Sequence, residues 1–221
     1  MEKSGYVILE GNIGVGKSTF SRLLADAFRK VAGRAEYLPE PDEKTNPFLA
    51  EYYENPAKTA YKMQMHLLHQ RFRSTRYAQA AALAGKGWYI LDRSYFGDVA
   101  FAHVQSQLGY FSDAELASYM DAHRNMREFL EPPTVAIFLA ASPEVCAQRI
   151  AKRARECESG VPLSYLQALD REIQRLKDTL CRRCHVIELD WPVERNETEL
   201  WERALQLAQD LCASPRDDWD F

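Results

Sequence analysis

Apolar residues recur along this chain in two distinct rhythms. Short runs in which most positions are apolar alternate with longer stretches in which apolar residues return every three or four places. The short runs are Tyr6-Val7-Ile8-Leu9, Ala35-Glu36-Tyr37-Leu38, Trp88-Tyr89-Ile90-Leu91, Val135-Ala136-Ile137-Phe138-Leu139 and His185-Val186-Ile187-Glu188-Leu189. Their length and continuity predict five buried strands. Phe20, Leu23, Leu24 and Phe28 fall at helical spacing, and helical patterns fill roughly 57–84, 97–107, 112–129, 142–153, 162–180 and 195–213. Apolar strands separated by helices predict an α/β fold, a five-stranded parallel sheet covered on both faces. Ligands of such sheets bind beyond the carboxyl ends of the strands. Polar residues just after each strand are therefore where chemistry is expected.

The 221 residues suit one domain, 1–221, with a single core and at most a small lid. No internal repeat, low-complexity segment or long linker divides them, and the final stretch, about 215–221, is expected to be a flexible tail. A net charge of -4 argues against a nucleic-acid surface, because phosphate backbones are met by positive fields. No apolar run approaches the roughly 20 residues that span a bilayer, so no membrane is expected as a partner. The polar start, Met1 to Gly5, shows no signal peptide, and five cysteines, an odd number, suit reduced thiols in a cytoplasmic compartment.

Between the first strand and the first helix lies Gly11-Asn12-Ile13-Gly14-Val15-Gly16-Lys17-Ser18-Thr19. Strand, glycine-rich turn, then helix is the context that the G-x-x-x-x-G-K-[ST] pattern requires of a phosphate-binding loop. Glycines let backbone N–H groups turn inward around phosphate oxygens, and the helix N-terminus adds partial positive charge. Lys17 can reach the outer phosphates, and the Ser18 hydroxyl can bind Mg²⁺. The loop therefore predicts nucleoside-triphosphate binding.

The strand ends add candidates. The first run ends in Glu10, the second is followed by Pro39-Glu40-Pro41, and the third by Asp92-Arg93-Ser94. With the phosphate loop they supply a base, a metal ligand and a cation, which is the set that phosphoryl transfer needs. On the long third helix, Gln64, Leu67 and Arg71 are spaced i, i+3 and i+7 and share one face. A few polar groups beside apolar Leu67 suit a pocket for a nucleobase. Arg149, Lys152, Arg153 and Arg155 gather four cations within seven residues. Arg149 and Arg153 stand one turn apart and can face the same anion.

Taken together, Glu10-Gly-Asn-Ile-Gly-Val-Gly-Lys-Ser-Thr19, Glu40-Pro41 and Asp92-Arg93-Ser94 resemble the deoxynucleoside kinases of the deoxycytidine, deoxyguanosine and deoxyadenosine kinase type. The resemblance runs from Tyr6 to about Asp190. Tyr53-Glu54-Asn55-Pro56 is similar to the family's tyrosine-containing segment, and Gln64 to its base-binding glutamine. The stretch Arg149 to Glu158 is similar to its arginine-rich lid, about 153–160 here. Two departures stand out: Asp92 replaces the glutamate of many relatives, keeping the charge on a shorter side chain, and Ala151 stands where a lid arginine is common.

The resemblance implies transfer of the γ-phosphate of ATP to the 5′-hydroxyl of a deoxynucleoside. Lys17 and the loop, Gly11 to Thr19, would hold the phosphates, and Ser18 and Asp92 would hold Mg²⁺. Glu40 would be the general base and Arg93 the cation between the two substrates. Arg153 and Arg155, with Arg149 nearby, would close from the lid. Tyr53 and Glu158 would bind the sugar 3′-hydroxyl. Arg71 and Asp98 fall where relatives accepting cytidine and purines carry an arginine and an aspartate, which implies deoxyadenosine, deoxyguanosine or deoxycytidine rather than thymidine. A homodimer built from two helices of each subunit is implied as well.

Two other functions fit part of the pattern. A thymidylate-type monophosphate kinase shares similar Glu-Pro and Asp-Arg signatures, but needs a further cationic site for the acceptor's phosphate. A nucleotide-dependent switch needs neither Gln64 nor Arg71 on one face, and no Asn-Lys-x-Asp guanine-reading motif occurs. Cys181-Arg-Arg-Cys184-His185 matches a haem-attachment spacing, but it lies between a helix and the last strand, where Cys184 and His185 serve as core and strand residues. Asn196-Glu197-Thr198 fits a glycosylation acceptor. In a cytosolic chain that match carries no meaning, and Asn196 is expected instead in a loop covering the adenine.

Overall fold

A computed structural model describes residues 4–41, 46–153, 161–191 and 196–213. Five strands form one parallel sheet: β1 (Gly5–Gly11), β2 (Ala35–Leu38), β3 (Trp88–Asp92), β4 (Val135–Ala140) and β5 (His185–Asp190). Their order is β2-β3-β1-β4-β5, so β1 sits at the centre. The chain builds outward from β1 first to one side and then to the other. The turn after β1, which carries the glycine-rich loop, therefore lies at the point where the winding reverses, the ligand crevice of such sheets.

The helices are α1 (Lys17–Ala32), α2 (Leu49–Glu54), α3 (Pro56–Leu83), α4 (Tyr95–Gln107), α5 (Asp113–Arg127), α6 (Pro143–Arg153), α7 (Leu163–Leu180) and α8 (Glu197–Ala213). All six patterned stretches and the helix after the loop are present, within two residues at most ends. The six-residue α2 is the element that periodicity does not reveal, since one and a half turns carry too few repeats to show a stripe. Asn55 separates α2 from α3, its side chain accepting from Lys58 N, with Pro56 at the first helical position. Both choices favour a helix start.

Side-chain alternation along the strands sorts the core into two layers. Tyr6 and Ile8, Tyr89 and Leu91, and Ala136 and Phe138 point to one face, where α3, α4 and α7 add Leu68, Phe101 and Leu169. Val7 and Leu9, Trp88 and Ile90, and Val135, Ile137 and Leu139 point to the other, where α1 and α8 add Phe20, Leu24, Phe28, Leu207 and Leu211. The alternation continues into the polar strand ends. Glu10 follows Tyr6 and Ile8 toward α4, and Asp92 follows Trp88 and Ile90 toward the α1 side. Cys184 is buried before β5, and His185 begins that strand. Among the described residues no helix is long and apolar enough to cross a membrane.

Leu24 is fully buried between α1 and the sheet. Leu24→Ala should lower unfolding free energy by about 2–5 kcal/mol, read from urea denaturation. A loss below about 1 kcal/mol would contradict close packing on that face.

Candidate active site

Beyond the carboxyl ends of β1 and β3, ionisable side chains converge in a nearly dry environment. The glycine-rich loop forms the first wall. Gly11, Gly14 and Gly16 adopt φ of 147°, 79° and 106°, a region that side chains resist. At Gly14 a Cβ would also meet Cys146 O at 2.7 Å. Asn12 anchors the loop from within, its Nδ2 donating to Leu166 O at 2.9 Å and its Oδ1 accepting from Ile13 N. The loop is thereby tied to the start of α7. Ile13 is half-buried and Val15 fully buried against the α1 layer. Ser18 is half-buried and Thr19 exposed at the first turn of α1.

Lys17 is 6% exposed and donates to Gly11 O at 3.2 Å and Asn12 O at 3.0 Å. Burial, with Arg93 nearby, brings its pKa down to about 8, against the pull of Asp92, Glu40 and Glu10. Its ammonium thus lies folded back over the loop whose amides it shares. Phosphate oxygens offer that ammonium stronger, charged acceptors than carbonyls do.

Glu40 forms the hub of the opposite wall. Its Oε1 accepts from Arg93 Nε at 2.9 Å and from Arg71 Nη2. Burial pushes the Glu40 carboxyl up, but Arg93, Arg71 and Lys17 together outweigh it and hold its pKa at about 2. Arg93 also donates through Nη2 to Gly11 O at 3.3 Å, and its Nη1 lies 3.5 Å from Glu10 Oε2. It is the one non-glycine residue with positive φ among the described residues, at 68°. That backbone state is uncommon and costs energy outside glycine, and it persists where surroundings over-determine it. Here four groups do so: Glu40, Glu10, Gly11 O and the ring of Phe101, 4.5 Å from the guanidinium carbon.

Arg71 and Gln64 project from α3 toward α4, as their shared helical face requires. Arg71 Nη1 donates to Asp98 Oδ1 while Nη2 serves Glu40, and its guanidinium carbon lies 5.2 Å from the Phe101 ring centroid. Gln64 Nε2 donates to Asp98 Oδ2 at 2.8 Å, Tyr119 adds its hydroxyl to the same oxygen, and Gln105 Nε2 donates to Gln64 Oε1 at 2.8 Å. Each of these side chains is buried. Burial, reinforced by the Asp98 charge, pushes the Tyr119 hydroxyl well above its usual pKa.

Asp92 stands apart from this group, as strand parity dictates. Its Oδ2 accepts from the Tyr37 hydroxyl at 3.2 Å, and its Oδ1 is buried with no hydrogen-bond partner. An orphaned carboxylate oxygen on the α1 side of the sheet suits a hard cation. Among the described residues no three His, Cys, Asp or Glu side chains converge on one point. A cation here would draw most ligands from phosphates and water, which is how Mg²⁺ is commonly bound.

Residues 7–208 match a family model described as deoxynucleoside kinase. The chain belongs to that family. It is 36% identical over 189 residues to a deoxyguanosine kinase of Dictyostelium discoideum, covering 85% of this chain and 64% of that protein. A deoxyadenosine kinase of the same organism is 31% identical over 84% of this chain and 72% of its own length. The fold is similar to that of a deoxyadenosine kinase from M. mycoides with bound dATP, with a TM-score of 0.76 and 23% identity over 95% of this chain and 100% of the other.

Within this deoxynucleoside kinase frame, the remaining expected residues are placed as follows. Arg149 donates to Val15 O and Trp191 O, both at 3.0 Å, and so joins the loop to the residue after β5. Asn196 caps α8, its Oδ1 accepting from Glu199 N at 2.9 Å, so its side chain is engaged in the helix start. The Arg153 and Tyr53 side chains, together with Arg155 and Glu158, lie outside the described residues, as does the stretch from 214 to 221. A groove of about 320 Å³ between α4, α5 and α7 is lined by Phe96, His103, Arg127 and Glu172 and by none of the expected site residues.

Glu10, a strand-end acid in the sequence, takes a bracing position in the fold. The carboxylate is fully buried; Oε1 accepts from Ser94 N at 3.0 Å and Ser94 Oγ at 2.8 Å. Burial raises its pKa against the pull of Arg93, Ser94, Lys17 and Arg71. Ser94 in turn caps α4. Gly97, one turn into α4, leaves the space: a Cβ there would lie 2.3 Å from Glu10 Oε2. The visible signal was a glycine inside a helix, which otherwise costs stability. Gly97→Ala should therefore displace Glu10 and, through it, Arg93. Expected results are a loss of about 1–3 kcal/mol in stability and a fall in kcat, measured on one preparation by denaturation and turnover. Retention of both would show that Glu10 does not brace this site.

Proposed function

We propose that this protein transfers the γ-phosphoryl group of ATP to the 5′-hydroxyl of a deoxynucleoside, serving nucleotide salvage in the cytoplasm. The observation that carries this reading is the position of Glu40. Its carboxylate is gripped by Arg93 on the phosphate-loop side and by Arg71 on the side of Gln64 and Asp98. A carboxylate there stands between a triphosphate site and a pocket with polar base-reading groups. The names of the relatives, deoxyguanosine and deoxyadenosine kinase, support the same substrate class.

In this reading the loop amides and Lys17 hold the β- and γ-phosphates. Mg²⁺ held by Ser18 and Asp92, the latter directly or through water, would neutralise phosphate charge. As the bond from O5′ to the γ-phosphorus forms, the bond to the β,γ-bridging oxygen breaks and its electron pair leaves with ADP. The 5′-hydroxyl proton passes to Glu40. Arg93 compensates charge between the two substrates. Gln64, Arg71 and Asp98 read the base, and Tyr53 and Glu158 bind the 3′-hydroxyl. Arg153 and Arg155 close from the lid, about 153–160, onto phosphates whose charge spreads over the equatorial oxygens. Closure excludes water and limits wasteful hydrolysis. The whole chain acts as one domain, and two copies associate through two helices of each.

Labelled ATP incubated with deoxynucleosides and with deoxynucleoside monophosphates tests the reaction. Phosphorylated deoxynucleoside is the expected product. Product from monophosphates alone would transfer the reading to a monophosphate kinase, and binding without turnover to a switch. Glu40→Gln should lower kcat by about 10²–10⁴-fold while ATP binding persists; a variant keeping a third of wild-type kcat would remove Glu40 from the proton transfer.

Base choice follows from Arg71 and Asp98. The pair fills the space that a thymine methyl needs and offers polar groups to an exocyclic edge. Wild type should prefer deoxyadenosine, deoxyguanosine or deoxycytidine to thymidine. Arg71→Met combined with Asp98→Ala should shift kcat/KM toward thymidine, while either single change leaves a desolvated charge costing about 3–5 kcal/mol and mostly damages the enzyme. An unchanged ranking in the double variant would show that these residues do not read the base.

A further inference from the structure

One guanidinium in this site serves two carboxylates with different tasks. Arg71 spans Asp98 on α4, at the base-reading end, and Glu40, at the phosphoryl-transfer end, with separate nitrogens. Its Nε is buried and has no hydrogen-bond partner. The two carboxylates are unequal in their other support. Asp98 also accepts from Gln64 and Tyr119 and is wholly buried. Glu40 is 30% exposed and shares its Oε1 between Arg71 and Arg93. Gln64 and Tyr119 both serve Asp98 Oδ2, so Arg71 Nη1 is the donor that Oδ1 depends on; a swing of the guanidinium that keeps Nη1 on Asp98 therefore changes mainly the charge facing Glu40.

We propose that Arg71 is a positioning residue that couples base recognition to the catalytic carboxylate: a base that engages Arg71 and Asp98 draws the guanidinium off Glu40 and frees that carboxylate to take the 5′-hydroxyl proton. This rests on the kinase reading above and concerns the same site. The chemistry favours such a device. A carboxylate held by two guanidiniums is a weak proton acceptor, and general-base efficiency rises as its pKa approaches the working pH. The cations facing Glu40 are Arg71 from α3, Arg93 from the turn after β3 and Lys17 from the loop. Asp98 stands behind Arg71, and Glu10 and Asp92 share the pull on Lys17. Of the three cations, Arg93 is fixed by four contacts and Lys17 belongs to the phosphates. Arg71 alone reaches the base-reading carboxylate. Base binding is then realised partly in kcat and not only in KM, as an interaction strengthened in the transition state must be.

The test measures kcat and kcat/KM against pH for wild type, Arg71→Met and Asp98→Asn, with the preferred deoxynucleoside as acceptor. In wild type, kcat/KM should stay level down to the lowest pH at which the protein remains folded. Arg71→Met should bring in an acid limb as the Glu40 carboxyl rises by roughly 1–3 pH units on losing one cation. Asp98→Asn should do the opposite: Arg71 stays on Glu40 in the complex, kcat falls by about tenfold or more, and no acid limb appears. A level profile in Arg71→Met, or an Asp98→Asn variant that raises KM with kcat unchanged, would overturn the proposal. If Arg71→Met fails to fold, the Asp98→Asn split between kcat and KM decides alone. Failure of wild type to phosphorylate any deoxynucleoside would instead strike the kinase reading itself.

Discussion

Two buried guanidiniums, Arg71 and Arg93, hold three carboxylates, Glu10, Glu40 and Asp98, in one connected lattice at the end of the sheet. Taking so many charges from water is costly, and their mutual attraction compensates only when partners and hydrogen bonds are complete. Here most are. Asp98 accepts from three side chains, Glu10 from two groups of Ser94, and Phe101 lies against both guanidiniums. What remains is informative: Arg71 Nε and Asp92 Oδ1 lack hydrogen-bond partners, and Arg93 Nη1 meets Glu10 Oε2 only as an ion pair at 3.5 Å. A cluster of perturbed ionisable groups at the end of a sheet marks the region as one that handles ligands.

Strand geometry decides which way each charge faces. Alternation sends Glu10 toward α4 and Asp92 toward the phosphate-loop helix, though they end neighbouring strands. Just after Asp92, Arg93 takes a left-handed backbone conformation, and its guanidinium meets Gly11 O, Glu40, Glu10 and the Phe101 ring. Ser94 then starts α4 and anchors Glu10 in the same step. A run of three residues, Asp92-Arg93-Ser94, thus supplies an unpaired carboxylate oxygen, a buried guanidinium and a helix cap.

Much of this was legible in the sequence because it repeats or has fixed spacing. Five apolar runs announced the parallel sheet, and the glycine loop announced its own turn. The i, i+7 spacing of Gln64 and Arg71 announced a shared face, and both side chains converge on Asp98. What stayed hidden depends on contacts distant in sequence. Gln105 and Tyr119 finish the Asp98 network from positions that look like ordinary helix residues. Glu10 could not be matched with Gly97 before β1 and α4 were set side by side. Arg149 shows the reverse case: a cluster of cations suggested phosphate contacts, while the fold engages that side chain with two backbone carbonyls.

The most direct measurement is a crystal structure with a bound deoxynucleoside and a non-hydrolysable ATP analogue. The base should lie against Gln64, Arg71 and Asp98, and the 5′-oxygen should sit within hydrogen-bond distance of Glu40, with Arg71 withdrawn from that carboxylate. A nucleoside bound with its 5′-oxygen remote from Glu40, or with its base away from Arg71 and Asp98, would contradict the assignment of this site.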